Sequence, residues 1–446
     1  MRPSQEGGQV IARLRKLYDD LAETFWLLPA LIVLGAALAA LGMVELDRKE
    51  VVPDWLLERW LYDGGATGAR TLLGAVASST IGVASTVFSI TIAALTLAAG
   101  QMGPRLLRNF TKDRSNQLTL GVFLGTFSFA LLVLRSVRTQ DEGAFIPHLA
   151  LTTAIVLALV CVMMLVYFVG HIAGRINVDT VIELVSEDLQ SAMARLTTKK
   201  RQPDPPPPHF WKQATPITDG RRGYLQHLDQ GGLADWAAEH NTTIRMLVRP
   251  GDYVFPGAPI AVMTPAAEGA DAAIRDATAL GPQRVSSADL EFAVKQLVEV
   301  AVRALSPGIN DPHTAMGALD RLGAALCEFA PRYLPTGVLL RDDRPALVVP
   351  AVQYDGLLDA MFQMIRQSAL ANAAVQRHLL DVLTAVVSTE RDPERMKCLR
   401  QQADIIEQDA RRNISTPADL RGIVARHAAF VTMLERGPLG QFQPRR

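Results

Sequence analysis

The sequence predicts an α-helical membrane protein with four transmembrane helices, followed by a mixed α/β, mainly helical cytoplasmic domain. Three observations carry this. The 446 residues are 49% hydrophobic but only 6% aromatic, and the mean hydropathy is positive, which is high for a water-soluble chain. Before residue 175 the apolar residues gather in four long runs, each near the ~20 residues that cross the hydrocarbon core of a bilayer. Beyond residue 176 the pattern becomes amphipathic helical periods and short alternating runs punctuated by Pro-Gly pairs.

The first 24 residues carry Arg2, Arg13, Arg15 and Lys16. The first span, Phe25–Val44, exceeds the ~7–15 apolar residues of a signal peptide and is expected to stay in the chain. The following loop is acidic, with Glu45, Asp47, Glu50, Asp54, Glu58 and Asp63. Within it, Trp55 and Trp60 flank a short apolar run that suits a helix at the membrane surface or one packed on the bundle. The second span is Leu72–Ala99, the third Leu118–Leu134 and the fourth Phe145–Ala173, where Pro147 suits a first helical turn. The loop between spans two and three is basic, with Arg105, Arg108, Lys112 and Arg114 against Asp113 alone. Arg175, Lys199, Lys200 and Arg201 follow span four. The positive-inside rule therefore places both termini and the Arg105–Arg114 loop in the cytoplasm. The four basic residues of that loop are also candidate contacts for anionic lipid heads, although fixing topology accounts for them.

The second span is the most informative. Ser78, Ser85, Ser89 and Thr96 recur on one helical face, with Thr86 beside them and Gly82, Ala93 and Gly100 between. Such a face calls for another helix or for water. Ser78, Ser85, Thr86, Ser89, Ala93 and Thr96 are the candidate pore-lining residues. No Asp, Glu, Lys or Arg stands in the middle of any span, which argues against an ion-coupled transporter.

Ile176–Thr198 has apolar residues at helical spacing and is expected to extend span four into the cytoplasm. Pro205–Pro208 then favour an extended, semi-rigid spacer, and residues 203–215 are expected as a linker. A small β-containing unit is expected over 216–285. It has strands at Gly223–Leu228 and Thr242–Val248, a helix at Leu233–His240, and tight turns at Pro250-Gly251 and Pro256-Gly257. Residues 286–446 read as a helical domain with one hairpin. Ser286 starts a helix to about Leu305, Val338–Val349 is the hairpin, and Thr416-Pro417 opens the last helix.

Ser306-Pro307-Gly308-Ile309-Asn310-Asp311-Pro312-His313-Thr314 joins two of these helices. Asp311 suits an N-cap and Pro312 the first helical position, Asn310 tolerates a left-handed backbone, and Gly308 can end the preceding helix. That describes a rigid connector. The same geometry offers helix N-terminal amides that, with Asn310, His313 and Thr314, can hold a small anion or a phosphate, while Asp311 favours a cation. These four residues are the candidate ligand site. Together with Gln101-Met102-Gly103-Pro104-Arg105-Leu106-Leu107-Arg108-Asn109-Phe110 and Arg249-Pro250-Gly251-Asp252, the motif resembles a bacterial family of integral membrane proteins filed as a domain of unknown function. The resemblance spans roughly residues 20 to 435. It implies the four-span architecture in a bacterial inner membrane and brings no catalytic residue with it.

Charges balance at 45 of each sign, so nothing points to nucleic acid. Cys161, Cys327 and Cys398 are odd in number and scattered, which argues against a disulfide scaffold and a metal site. His171 and His148 read as interfacial polar residues at the two ends of span four. No phosphate-binding glycine loop, His-Glu-x-x-His pair or Gly-x-Ser-x-Gly elbow occurs, so neither catalysis nor a cofactor is expected. The expected function is a homo-oligomeric pore in the lipid bilayer, lined by span two and gated by the cytoplasmic domain. Its layout is similar to that of small-conductance mechanosensitive channels, an analogy of layout alone. The alternative is a membrane-anchored sensor or scaffold whose cytoplasmic domain binds a ligand near Asn310–Thr314.

Overall fold

The computed structural model describes residues 25–49, 65–102, 113–138, 145–175, 178–282 and 290–440. The chain divides after Asn177 into two compact units.

The first unit contains helices α1 (Leu27–Arg48), α2 (Ala66–Met102), α3 (Arg114–Ser136) and α4 (His148–Arg175). All four are long and apolar enough to cross a membrane, so the four expected spans are present. α2 begins at Ala66, more than a turn before Leu72. No proline interrupts this stretch, and Thr71 Oγ1 donates back to Thr67 O at 2.9 Å along the helix. α4 begins after Pro147, whose carbonyl accepts from Leu151 N at 2.9 Å; the proline precedes the first turn instead of occupying it. The Trp55–Trp60 helix lies outside the described residues.

α3 is the hub of this unit. Half of its apolar stretch, 50%, is buried, against 11% for α1. Two glycines four residues apart make the close approach of α1 possible. A Cβ at Gly121 would stand 2.6 Å from Ile32 Cδ1 and 3.2 Å from Pro29 Cα, and one at Gly125 would stand 3.2 Å from Ile32 Cγ2. Small residues at this spacing let helix backbones approach where lipid supplies no hydrophobic drive between helices. Ala40, Leu73, Phe129, Val133 and Leu151 fill one end of the bundle. Val87, Phe123, Cys161 and Phe168 pack toward the other. Leu31, Leu38, Val162, Met163 and Val166 stay exposed, as lipid-facing side chains do.

The second unit opens with α5 (Val178–Leu196). Its apolar face, Val181, Ile182, Val185, Leu189 and Met193, is buried against α8 (Leu290–Ala304) and α9 (Pro312–Phe329). Arg332 fastens its end by donating to Thr197 Oγ1 at 2.5 Å and to Ala194 O at 2.7 Å. The amphipathic period of this segment is thus satisfied inside the second unit. The proline run belongs to that unit as well, ending in a 3-10 turn at Pro208–Trp211.

Next come β1 (Thr215–Thr218), β2 (Gly223–Leu228), α6 (Gln230–Glu239), β3 (Thr243–Met246), β4 (Tyr253–Val254), β5 (Pro259–Thr264), α7 (Ala270–Ala277) and β6 (Thr278–Gly281). Both expected Pro-Gly turns form. Gly251 has φ 101° and Gly257 φ 78°, with Asp252 N donating to Arg249 O at 3.0 Å and Ala258 N to Phe255 O at 3.1 Å. Proline before a left-handed glycine is the type II pattern. Arg249 also reaches Glu291 on α8 at 2.6 Å. Burial alone would raise the Glu291 carboxyl, but Arg249 and Lys295 hold it below the ordinary carboxylate range.

β7 (Val338–Arg341) and β8 (Arg344–Val348) form the expected hairpin. Asp342 and Asp343 at its tip both have positive φ, 48° and 59°, the two-residue turn that matches strand twist. This hairpin joins a sheet of order β1-β5-β3-β8-β7, while β4-β2-β6 form a second sheet. β3 pairs with β8 in parallel, Ile244 opposite Leu347 and Arg245 opposite Val348. β1, β3 and β5 therefore share a sheet with a hairpin from the later segment, and both sheets contribute to one core around Leu225, Leu233, Ile244, Met246, Ile260 and Leu347. The remaining helices are α10 (Tyr354–Ser368), α11 (Ala373–Thr389), α12 (Pro393–Asn413) and α13 (Pro417–Gly440), the last interrupted at Gly437. Ser286 lies outside the described residues.

Candidate functional site

α2 has two faces. Ala69, Leu73, Val76, Ala77, Ala84, Val87 and Ala94 are buried in the bundle. At about 100° per residue, Ser78, Ser85, Thr86, Ser89, Ala93 and Thr96 lie on the opposite face, and all six are exposed. Gly74, Gly82 and Gly100 stand open beside them, with no atom within 4 Å of where a Cβ would be. The hydroxyls bond along their own helix. Ser78 donates to Ala75 O at 3.2 Å, Thr86 to Gly82 O at 3.1 Å, Ser89 to Ser85 O at 2.9 Å and Thr96 to Ile92 O at 2.9 Å. Their protons are satisfied, which lets this face meet a second helix closely while keeping oxygen lone pairs for water or an ion. Phe88, Ile81, Ile90 and Ile92 flank it.

The connector between α8 and α9 is built largely as its residues dictate. Asn310 is left-handed at φ 49°. Asp311 caps α9, its Oδ1 accepting from His313 N and Thr314 N, both at 3.1 Å, and its Oδ2 from Thr314 Oγ1 at 2.6 Å. The helix before it ends at Ala304, not at Gly308. Ser306 O accepts from Ile309 N and Asn310 N, and Ala304 O accepts from Asp311 N at 2.8 Å. Gly308 sits in that turn and is absent from the positive-φ glycines. The amides that an anion would need already serve Asp311. Donation from the Thr314 hydroxyl, then from its amide, holds the Asp311 carboxyl below its ordinary range.

A depressed folded value stabilises the fold above the ordinary aspartate pKa of 3.8, and the gain is lost as pH falls through the folded value. Asp311→Ala is therefore expected to lower stability by about 1 kcal/mol at pH 7. The difference from the parent protein should shrink at acid pH, as pH falls below 3.8 and through the folded value. Urea unfolding of the detergent-solubilised protein at pH 7 and pH 3 measures it, and a pH-independent difference would contradict the capping account.

Of the basic loop, Arg105, Arg108 and Lys112 lie outside the described residues, and Arg114 is the exposed first residue of α3. The structure adds two ties that the sequence reading missed. Asp113 is the N-cap of α3, its Oδ1 accepting from Ser115 N at 3.0 Å. Its Oδ2 meets His171 Nε2 of α4 at 2.6 Å. Tyr167, one turn before His171, stacks on its ring and meets Ser115 Oγ at 3.0 Å. At the other end of the bundle, Asp47 at the close of α1 accepts from Leu149 N and Ala150 N, both at 3.1 Å, and so caps α4 across the bundle. A lone acid in a basic loop was the available signal for Asp113; nothing local singles out Asp47 among its acidic neighbours. Cys161 Sγ donates to Thr126 Oγ1 at 3.3 Å, and all three cysteines are free. Among the described residues no cluster of His, Cys, Asp and Glu could hold a metal.

Fold and faces together define an integral membrane protein with four spans and a mixed α/β, mostly helical second unit. The chain belongs to the family described as Predicted membrane protein (DUF2254), whose model matches residues 22–385. It is 29% identical over 443 residues to the uncharacterized protein MT1328 of Mycobacterium tuberculosis (strain CDC 1551 / Oshkosh), covering 96% of this chain and 84% of the relative. The uncharacterized protein Mb1321c of Mycobacterium bovis is similar to the same extent, 29% over 443 residues, with 96% and 84% covered. No solved structure matches this chain.

Proposed function

We propose that the protein is a homo-oligomeric membrane channel without catalytic chemistry, in which α2 of each copy turns Ser78, Ser85, Thr86, Ser89, Ala93 and Thr96 toward a shared axis. One observation supports this above the others. The bundle packs one face of α2 and leaves the hydroxylated, small-residue face outside. α3 fills the centre of the bundle, so a passage requires several copies around an axis. The positive-inside rule assigns both termini and the second unit to the cytoplasm of a bacterial plasma membrane. There the second unit would assemble and gate the channel, and the Arg105–Arg114 loop would meet anionic lipid heads at its inner mouth.

The test is conductance of the purified full-length protein in planar bilayers, scanned over voltage and tension. Discrete unitary currents are expected, reduced by roughly half or more in Ser89→Leu, since a bulkier apolar side chain narrows and dries a pore. Silence from protein verified as folded and oligomeric would sink the channel and favour a membrane-anchored sensor or scaffold.

A further inference from the structure

The second unit contains a cavity of about 1080 Å³ that is remote in sequence from the Asn310–Thr314 connector. It lies where the parallel strands β3 and β8 end. β3 leaves toward the Arg249–Asp252 turn and β8 toward α10, so the two chains part and a crevice opens at their carboxyl ends, as in open α/β sheets. Its lining includes residues at the starts of both α10 and α12. Gln353, the N-cap of α10, makes no side-chain cap bond; Asp355 in the first turn accepts from the Gly356 amide at 2.7 Å instead. Prolines 205–208, 335, 350 and 393 form much of the wall and hold it in shape, because each has a fixed φ.

The charges around this wall are unequally engaged. Asp204 pairs with Arg201, Glu394 with Lys397, and Asp392 accepts from the amides of Glu394 and Arg395. Arg395 is held by Glu390 and by two backbone carbonyls. Arg245 differs. Strand alternation turns it away from the buried Ile244 and Met246, and its guanidinium lies 5.8 Å from the centre of the Trp211 ring. Among the described residues no carboxylate pairs with it. Two further lining residues carry buried hydroxyls without a hydrogen-bond partner among the described residues, Tyr354 Oη and Thr336 Oγ1. Tyr354 is only 9% exposed. Buried polar atoms of this kind ordinarily find partners.

We infer that this cavity is a binding site for a planar aromatic anion of mononucleotide size, with Arg245 pairing the anionic group and Trp211 offering its ring to the aromatic body. The guanidinium suits a phosphate or carboxylate, and the volume suits a ligand of that size. The inference is independent of the channel reading, and its test reads binding and not current.

The experiment is titration calorimetry of the full-length protein in detergent with AMP, GMP, CMP and UMP, and with adenosine and inorganic phosphate as the two halves. Saturable binding of at least one mononucleotide is expected, at least about tenfold tighter than adenosine or phosphate. Arg245→Gln should weaken it about tenfold or more, Arg245→Lys less, and Trp211→Leu severalfold. Ser89→Leu should leave it unchanged. Melting curves establish that each variant is folded. No saturable heat with any of the four up to about 5 mM, or binding indifferent to Arg245→Gln and Trp211→Leu in folded protein, overturns the assignment.

Discussion

Arg395→Leu is expected to destabilise the second unit by about 3–5 kcal/mol, the range seen when one partner of a buried ion pair is removed. Arg395 occupies the first turn of α12, where a cation opposes the helix dipole, so its place must come from tertiary contacts. Its guanidinium donates to Arg332 O at 2.6 Å and Ala330 O at 3.3 Å and pairs with Glu390 at 3.4 Å. It also lies 4.5 Å from the ring centre of Phe329 and 5.3 Å from that of Tyr354. Glu390 is 2% exposed. Leucine would leave that carboxylate buried with only the amides of Arg391 and Asp392, and would strip a donor from two carbonyls. Thermal unfolding should fall by roughly 10 °C. Adding Glu390→Gln to Arg395→Leu should recover part of the loss, because it removes the stranded charge. An unchanged melting point in the single variant would show that this network does not stabilise the unit.

Gly121→Leu should be the most damaging single change in the membrane unit. The Cβ alone would meet Ile32 Cδ1 at 2.6 Å, which a rotamer change relieves, and Pro29 Cα at 3.2 Å, which only a shift of the helix backbone relieves. α1 and α3 must part, and overpacking of this kind costs about 1–3 kcal/mol or more. Gly121→Ala should cost less, and Ile32→Ala should partly rescue it. Gly82→Leu is the control. Nothing lies within 4 Å of its Cβ position, so the protomer should fold unchanged. Any effect of Gly82→Leu should appear in oligomer assembly, read by size-exclusion chromatography with light scattering. Equal loss of folded protein from Gly121→Leu and Gly82→Leu would refute the packing described for α1 and α3.

The glycines show where sequence reasoning stops. Gly82 stands in the conspicuous hydroxylated stripe, whereas Gly121 and Gly125 sit unremarked in an apolar span, yet the latter pair meets a neighbouring helix inside the bundle. A single sequence reveals that a helix has a small-residue face; which neighbour covers it depends on helices elsewhere in the chain. His171 is a similar case. Read alone it is an interfacial histidine, and only the fold brings Asp113 to 2.6 Å from it. The proline run was legible as extended backbone, but not as the wall of a cavity, because proline sets local φ and says nothing about what lies across from it. The connector was legible almost residue by residue, since an N-cap is completed within three positions of itself.

By itself the sequence determined the four spans, the two Pro-Gly turns, the Asp342-Asp343 hairpin and the cap at Asp311. Each is set by a short-range rule: hydrocarbon thickness, fixed φ, tolerance of positive φ, or a side chain within reach of its own amides. The tertiary structure alone decided that α2 shows its hydroxyls to the outside, that β3 and β8 run side by side, and that Arg245 and Trp211 face one cavity. Those outcomes come from contacts between residues far apart in the chain, whose strength depends on the complementary shape and charge of both partners, and no local pattern encodes both at once.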